Sequence, residues 1–411
     1  MYFQDKNFPY EAALLVTEAI IEESIQAYKA GDEARAKALK SFATKSQNMR
    51  AYESMLSLAT HKPAFCIDAS MFDHDIWALG VVNGLLDLRT GVLRAFRPND
   101  YVTKCAGVAY DETATCPQWE AFLLKSFNHD TEMVNYLARV IGYTLSGSTE
   151  AQCLWLHYGA GSNGKSTFMN VLSALMGDYA TTANASTIMS KPTSNISNDV
   201  ARLKGARLVM INELEDGKRL AEAEIKTMTG GEALTARYLH QEFITFYPQF
   251  KLHLTSNYKP SVYDNSHGLW RRINLINWAV IVIEADQDKQ LLDKLKGELS
   301  GILNWALSGL HDYLKNGLQT PKSVLSDTAE FRAEMDSIGQ FIEAYCYVDI
   351  EARGKARELY AKYSEWAKET GRQPVNNMRF GNSLKDKGYT NYKSSGVMVY
   401  RGLAVRPSHL N

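Results

Sequence analysis

The segment Gly159-Ala160-Gly161-Ser162-Asn163-Gly164-Lys165-Ser166 constrains this chain more than any other. It fits G-x-x-x-x-G-K-[ST], a glycine-rich loop that wraps the phosphates of a nucleoside triphosphate. Its flanks supply the strand and helix that the motif needs. Cys153-Leu154-Trp155-Leu156-His157-Tyr158 is an apolar run of buried-strand character. Beyond the loop, Phe168, Met169, Val171, Leu172, Leu175 and Met176 recur on a helical period that stops at Gly177. A loop closing on phosphate must bring backbone N–H groups within hydrogen-bonding distance, and a Cβ there would clash, hence the glycines. The positive end of the following helix faces the anion. The expected ATP-binding residues are Gly159, Ala160, Gly161, Ser162, Asn163, Gly164, Lys165, Ser166 and Thr167. Lys165 would reach the β- and γ-phosphates, and the Ser166 hydroxyl would ligate Mg²⁺.

Hydrolysis of ATP also needs an acid to hold Mg²⁺ and orient the attacking water. That acid belongs at the C-terminal end of a second buried strand, and Leu208-Val209-Met210-Ile211 is such a strand. It runs into Asn212-Glu213-Leu214-Glu215-Asp216. Glu213 comes first and is read as the acid nearest the metal, with Glu215 as base or supporting partner; Asp216 stays open as an alternative. A third apolar stretch, residues 250–255, ends in Ser256-Asn257, where a neutral amide suits the γ-phosphate or the lytic water. Arg271-Arg272 offers an arginine to neutralise charge on the transferred phosphoryl group, and Arg272 is the candidate. Between Glu213 and Asn257, apolar and aromatic residues on both sides of His240-Gln241 predict a β-hairpin with His240 at its tip and Arg237 on one arm.

The bulk properties exclude several classes. The chain has 411 residues, 45% of them hydrophobic, and a net charge of −1. Charge is unevenly spread: residues 351–411 carry 12 Lys+Arg against 5 Asp+Glu, giving +7 on a body of −8. A basic tail on an acidic body predicts a nucleic-acid contact there. Five cysteines without C-x-x-C spacing argue against a zinc site or disulfide framework and fit a reducing cytosol. No apolar run approaches the ~18 residues of a membrane span, and no signal peptide is read. The expected location is cytoplasmic, with no membrane partner.

Periodicity divides the chain into an N-terminal helical region (1–62), a region of hairpins and then helices (63–146), the nucleotide-binding core (147–286), a helical subdomain (287–340) and a terminal unit (341–411). Gly31-Asp32 breaks the first helix and caps the second. Asn83-Gly84 and Thr90-Gly91 signal hairpins. Asp73-His74-Asp75 is the only D-x-D of the N-terminal third and is read as structural, so no primase activity is expected. In the terminal unit, helices over 358–367 and 374–385 precede a hairpin over 389–403.

The motifs in this order, 114 residues from Gly159 to Arg272, resemble those of the superfamily III helicases of small DNA viruses, phages and plasmids. More narrowly, the chain resembles the helicase part of phage and plasmid primase-helicases related to the poxvirus one. Phe72–Leu79, Asn83–Gly91, Gly205–Val209 and Ile225–Gly231 carry that likeness. The resemblance implies an α/β fold: an AAA+-type P-loop core with a helical N-terminal region, a collar region before the core and a C-terminal winged helix. It implies a homo-hexameric ring with ATP between subunits. Lys165, Ser166, Glu213, Glu215 and Asn257 would act from one subunit and Arg272 from the next. Hairpins bearing His240 and Arg237 would track single-stranded DNA, with 3′→5′ unwinding of forked DNA. Arg379, Lys385, Lys387, Lys393 and Arg401 of the terminal unit would meet phosphates, unless that unit docks protein. A primase or polymerase is an expected partner, and the cytoplasm of a bacterial host the setting for a phage or plasmid product. The competing reading is an ATP-gated initiator that marks or melts an origin without processive unwinding. A small-molecule kinase is disfavoured by the hairpin and the arginine pair.

Overall fold

The helical periodicity of residues 10–60 forms α1 (Phe8–Lys29), α2 (Glu33–Ser46) and α3 (Met49–Ala59). Asp32 caps α2 by accepting the Arg35 N–H, and Asn48 caps α3 through the Ala51 N–H. Small residues bury the inner faces of α1 and α2: Ala13, Thr17, Ser24, Ala36 and Ala43. The Ser24 hydroxyl donates to the Ala36 carbonyl at 2.8 Å. The apolar face expected on α1 is only partly used. Ala13 turns inward, while Leu14, Ile25 and Tyr28 stay exposed, because small side chains let the helices approach closely.

This computed structural model describes residues 8–63, 67–190, 198–212, 214, 218–238 and 242–407. Glu213, Glu215, Asp216 and His240 lie outside the described residues. The chain divides into two compact units, Met1–Asp75 with Phe96–Lys104, and Ile76–Ala95 with Cys105–Asn411. In the first unit Asp73 takes a left-handed φ of 52°, and its carboxylate accepts the Thr103 N–H at 2.8 Å and the Thr103 hydroxyl. That is the structural role expected of the D-x-D.

The second unit opens with a meander, β1 (Ala78–Val81), β2 (Gly84–Asp87) and β3 (Val92–Arg94), turning at the two foreseen hairpin signals. Helices α4 (Pro117–Ser126) and α5 (Thr131–Leu145) follow; Pro117 suits the first turn, where its missing N–H costs nothing. The core then runs β4 (Leu154–Tyr158), α6 (Lys165–Met176), β5 (Ala180–Ala183), α7 (Asn198–Ala201), β6 (Leu208–Asn212) and α8 (Glu222–Gly230). It continues with the hairpin β7 (Leu234–Arg237) and β8 (Phe243–Phe246), then β9 (Lys251–Ser256), α9 (His267–Trp270) and β10 (Ile273–Asn277). Five strands make a parallel sheet in the order β10-β4-β9-β6-β5. The central strands are buried on both faces, which accounts for their nearly continuous apolar runs.

Helices α10 (Leu291–Lys296), α11 (Leu299–Asn316), α12 (Lys322–Met335) and α13 (Ser337–Tyr345) follow, as the periodicity of 287–340 predicts. The terminal unit is β11 (Cys346–Lys355), α14 (Ala356–Glu369), α15 (Asn377–Asp386), β12 (Asn391–Ser394) and β13 (Val397–Val405). Its antiparallel sheet has the order β11-β13-β12. Strand β11 escaped the sequence reading because charged residues interrupt its alternation at Asp349, Glu351 and Arg353. The molecule is mixed α/β, and among the described residues no helix is long and apolar enough to cross a membrane.

Helix α5 lies under the sheet and crosses α11 at two glycines. A Cβ on Gly142 would lie 2.3 Å from the Ala306 carbonyl oxygen, and one on Gly309 would lie 2.1 Å from that of Ala138. Neither helix backbone can yield without moving the floor of the sheet. Gly309→Val should therefore lower stability by about 1–3 kcal/mol or more, the range for overpacking. A thermal-unfolding scan that shows no drop in Tm would contradict this.

Candidate functional site

Parallel pairing sets the C-terminal ends of β4, β9 and β6 on one edge of the sheet. The P-loop leaves β4 there, Asn257 leaves β9, and the acidic segment leaves β6. Strand β9 lies between the other two, so Asn257 stands between the glycine-rich loop and the end of β6. The Thr255 hydroxyl donates to the Asn212 side-chain oxygen at 2.9 Å and joins the two strand ends. The P-loop follows the expected strand–loop–helix path. Gly164 has a φ of 91° and an added Cβ would meet the Phe122 ring at 2.9 Å, so both conformation and space require glycine.

Lys165 is buried inside the loop it serves. Its Nζ donates to the Gly159 carbonyl at 2.6 Å and to Asn163 Oδ1 at 3.1 Å. Burial holds its ammonium pKa below the usual lysine value. Asn163 donates through Nδ2 to the Trp278 carbonyl at 2.9 Å, fixing the loop to the residue that follows β10. The ammonium thus rests on neutral acceptors, which a phosphate oxygen can replace with a stronger charge-assisted bond. Ser166 is exposed at the mouth of the site. A cavity of about 610 Å³ opens beside the loop. Phe122 and Lys125 of α4 form part of one wall, and Val282, Gln287 and Leu291 part of another. The Val282 N–H donates to the Ser162 carbonyl at 2.8 Å, so this second wall is tied to the loop. These wall residues carry no motif, and only the packing of α4 and the stretch after β10 brings them to the loop.

A buried string of polar side chains supports the loop from beneath. Trp278 Nε1–H donates to His157 Nδ1 at 3.2 Å, and His157 Nε2 faces His253 Nδ1 at 3.1 Å. His253 Nε2 lies 3.3 Å from the Thr144 hydroxyl, which donates to the Val140 carbonyl at 2.8 Å. An indole N–H can only donate, so the direction of every bond follows: each histidine accepts at Nδ1 and donates from Nε2, and both rings are neutral. Burial, with the Lys165 charge adding to it, depresses the His157 pKa to about 3. Burial, His157 and Lys251 hold His253 well below the ordinary value. The sequence shows two histidines in apolar runs, and nothing in it signals that they meet.

Arg272 stands at the opposite edge. It precedes β10, and its carbonyl accepts the Leu154 N–H at 2.7 Å, at the N-terminal end of β4. The length of β10 separates it from the P-loop edge, roughly 13 Å at ~3.3 Å per residue. Arg237 lies exposed on the hairpin arm and stacks on Phe243, with its guanidinium 5.3 Å from the ring centroid. In the terminal unit, Lys385, Lys393 and Arg401 are exposed, and Arg401 lies 4.6 Å over the Tyr392 ring. The other two expected phosphate contacts are engaged within the molecule. Arg379 lies over the Tyr263 ring at 5.4 Å, and Lys387 is ion-paired with Asp336, the cap of α13. Their shared position in a basic stretch did not reveal these partners.

A model described as D5 N terminal like matches residues 2–128, a family of unknown function (DUF5906) matches 157–272, and a model described as Poxvirus D5 protein-like matches 333–400. Over residues 2–128 and 333–400 the chain is thus similar to D5-like proteins. A protein of Acanthamoeba polyphaga mimivirus, provisionally named helicase L207/L206, is 29% identical over 329 residues, which is 74% of this chain and 34% of that protein. One of Frog virus 3, provisionally named helicase 022R, is 24% identical over 56% of this chain and 26% of its own length. An African swine fever virus protein, provisionally named primase C962R, is 27% identical over 47% of this chain and 21% of its own. The chain thus spans about a third or less of these relatives' length. The apo structure of the NrS-1 C-terminal region superposes with a TM-score of 0.42 at 14% identity, over 72% of this chain and 78% of that one.

The histidine string generates a pH prediction. The folded His157 pKa, about 3, lies below the ordinary 6.5, so between these values the unfolded chain binds a proton that the folded chain excludes. Stability then falls as pH drops through that window, by up to about 1.4 kcal/mol per pH unit for each such histidine. His157→Gln should lose less between about pH 7 and about pH 4 in urea titrations. Parallel losses in both proteins would contradict the assignment.

Proposed function

We propose that this chain is an ATP-driven DNA helicase module of a replication protein, built on an AAA+-type core and working as a homo-hexameric ring. ATP would lie in the cavity beside the P-loop, with Lys165 on the β- and γ-phosphates. Mg²⁺ would be held by Ser166 and Glu213 and would offset phosphate charge. Asn257 would orient the γ-phosphate or the attacking water. Glu215 is the candidate base for the proton that leaves that water, with Asp216 the alternative. The observation that carries the reading is the separation along β4 and β10. Arg272 sits at the edge away from its own P-loop, so an arginine serving catalysis must serve a neighbouring subunit's nucleotide. The exposed Arg237–Phe243 pair on the hairpin supports contact with single-stranded DNA, since a guanidinium and an aromatic face are what backbone and bases take. Movement of that hairpin would drive 3′→5′ travel, with His240 the residue the sequence assigns to gripping the strand. The terminal unit is read as a winged helix whose Lys385, Lys393 and Arg401 face duplex DNA. An ATP-gated initiator would share the ATP site and differ in the outcome of strand displacement.

Turnover of ATP should rise on adding single-stranded DNA, and a forked duplex should be separated. Hydrolysis without displacement would favour the initiator. Lys165→Ala should abolish turnover. Arg272→Ala should lose turnover, by about 10³-fold or more for an arginine of this role, while ATP still binds. Mixing these two variants should restore activity at interfaces that pair an intact P-loop with an intact arginine, and an inert mixture would refute the shared site.

Lys393→Ala and Arg401→Ala should each flatten the log–log salt dependence of duplex binding by about 0.9 unit, the value of one lost phosphate contact. Unchanged slopes would point instead to a protein-docking surface.

A further inference from the structure

Gln152 lies two residues before β4 and belongs to none of the motifs, yet both arginines before β10 converge on it. Its Oε1 accepts from Arg271 at 2.5 Å and from Arg272 at 2.9 Å. The register that pairs Leu154 with Ile273 brings the two strand starts together and makes this convergence possible. Gln152 Nε2 donates to the Gly230 carbonyl at 3.4 Å, at the C-terminus of α8 and four residues before the hairpin strand β7. One amide therefore touches the arginine pair with one atom and the segment entering the hairpin with the other.

The charge balance is unusual. Two guanidiniums share one neutral oxygen, and among the described residues neither has an ion pair. Arg272 is 8% exposed, and its Nε has no hydrogen-bond partner. Burial, and then Arg271, depress the Arg272 pKa, against smaller opposing effects of Cys153 and Glu232. A carboxylate at position 152 would neutralise the pair, and an apolar side chain would release it. An amide holds the geometry and leaves the charge available to an anion. Gln152 also adopts a φ of 51°, which a glutamine takes only when its surroundings enforce it.

We propose that Gln152 is a positioning residue that sets Arg271 and Arg272 as one unit toward the nucleotide of the adjacent subunit and couples that unit to the hairpin through Gly230. This rests on the shared ATP site argued above. The catalytic contact remains with the arginines, and Gln152 acts through them.

Trans-complementation in the full chain tests it. Gln152→Ala removes the acceptor. Gln152→Asn keeps an amide and tolerates the left-handed backbone, yet falls one methylene short of the arginines, so it separates reach from folding. Each should lower DNA-stimulated ATP turnover by about 10- to 100-fold, the scale of a misplacement of about 1 Å, with ATP affinity unchanged. Mixed with Lys165→Ala, each should regain turnover; mixed with Arg272→Ala, neither should, because both defects lie on the arginine side. Gln152→Glu should also lower turnover, by pairing the guanidiniums. Wild-type turnover of Gln152→Ala and Gln152→Asn would overturn the proposal, and so would rescue by Arg272→Ala or rescue by neither partner. If the control mixture of Lys165→Ala with Arg272→Ala stays inert, the shared site itself fails, and the role of Gln152 fails with it.

Discussion

Strand β4 must be clamped between β9 and β10 for any of the chemistry to be possible. Its C-terminal end carries the P-loop, and its N-terminal end begins two residues after Gln152. Parallel hydrogen bonding on both sides fixes the register, so each neighbour's two ends line up with those of β4. On the side of β10 this aligns Trp278 with the loop at one edge and Arg272 with Gln152 at the other. On the side of β9 it sets Asn257 beside the loop. A slip of one residue would turn the buried side chains to the opposite faces of the sheet.

The polar string through Trp278, His157, His253 and Thr144 makes that register specific. Apolar burial is nearly indifferent to which Leu meets which Val. A chain of hydrogen bonds in a dry interior is not, because a displaced member leaves a buried polar group unsatisfied, at about 1–3 kcal/mol each. Lys251 acts similarly at the far edge. It is fully buried, and its Nζ donates to the carbonyls of Ser146, Ser148 and Gln249. The turn that delivers the chain from α5 to β4 is thereby fixed to the start of β9. The cleft at one edge and the arginine pair at the other thus lie at opposite ends of the same strands.

Legibility in the sequence followed how local each signal was. The P-loop, the helix cap at Asp32, the meander at Asn83-Gly84 and the strands ending in Asn212 and Ser256 were all readable, because each rests on neighbours within a few residues. Strand β11 was not, since a charged edge strand pairs through its backbone and need not alternate cleanly. The inward turn of Arg379 and Lys387 was hidden as well. A basic residue that faces solvent and one that stacks on a distant tyrosine have the same local sequence. Among the site residues, Phe122 enters the cavity wall from 37 residues before the P-loop, and Val282 and Leu291 from more than 100 residues after it, with no motif to mark them.

By itself the sequence determined that a glycine-rich loop of the P-loop pattern sits between a buried strand and an amphipathic helix, with an acidic strand end, an amide-bearing strand end and an arginine pair following in order. Those features depend on backbone conformation and short-range periodicity, which a linear reading contains. The tertiary structure alone decided which ends lie together: Asn257 beside the P-loop, Arg272 away from it, Gln152 between two guanidiniums and two histidines in one hydrogen-bonded line. Strand order and register in this parallel sheet are set by contacts between residues 28 to 119 positions apart, and such contacts leave no local trace in the chain.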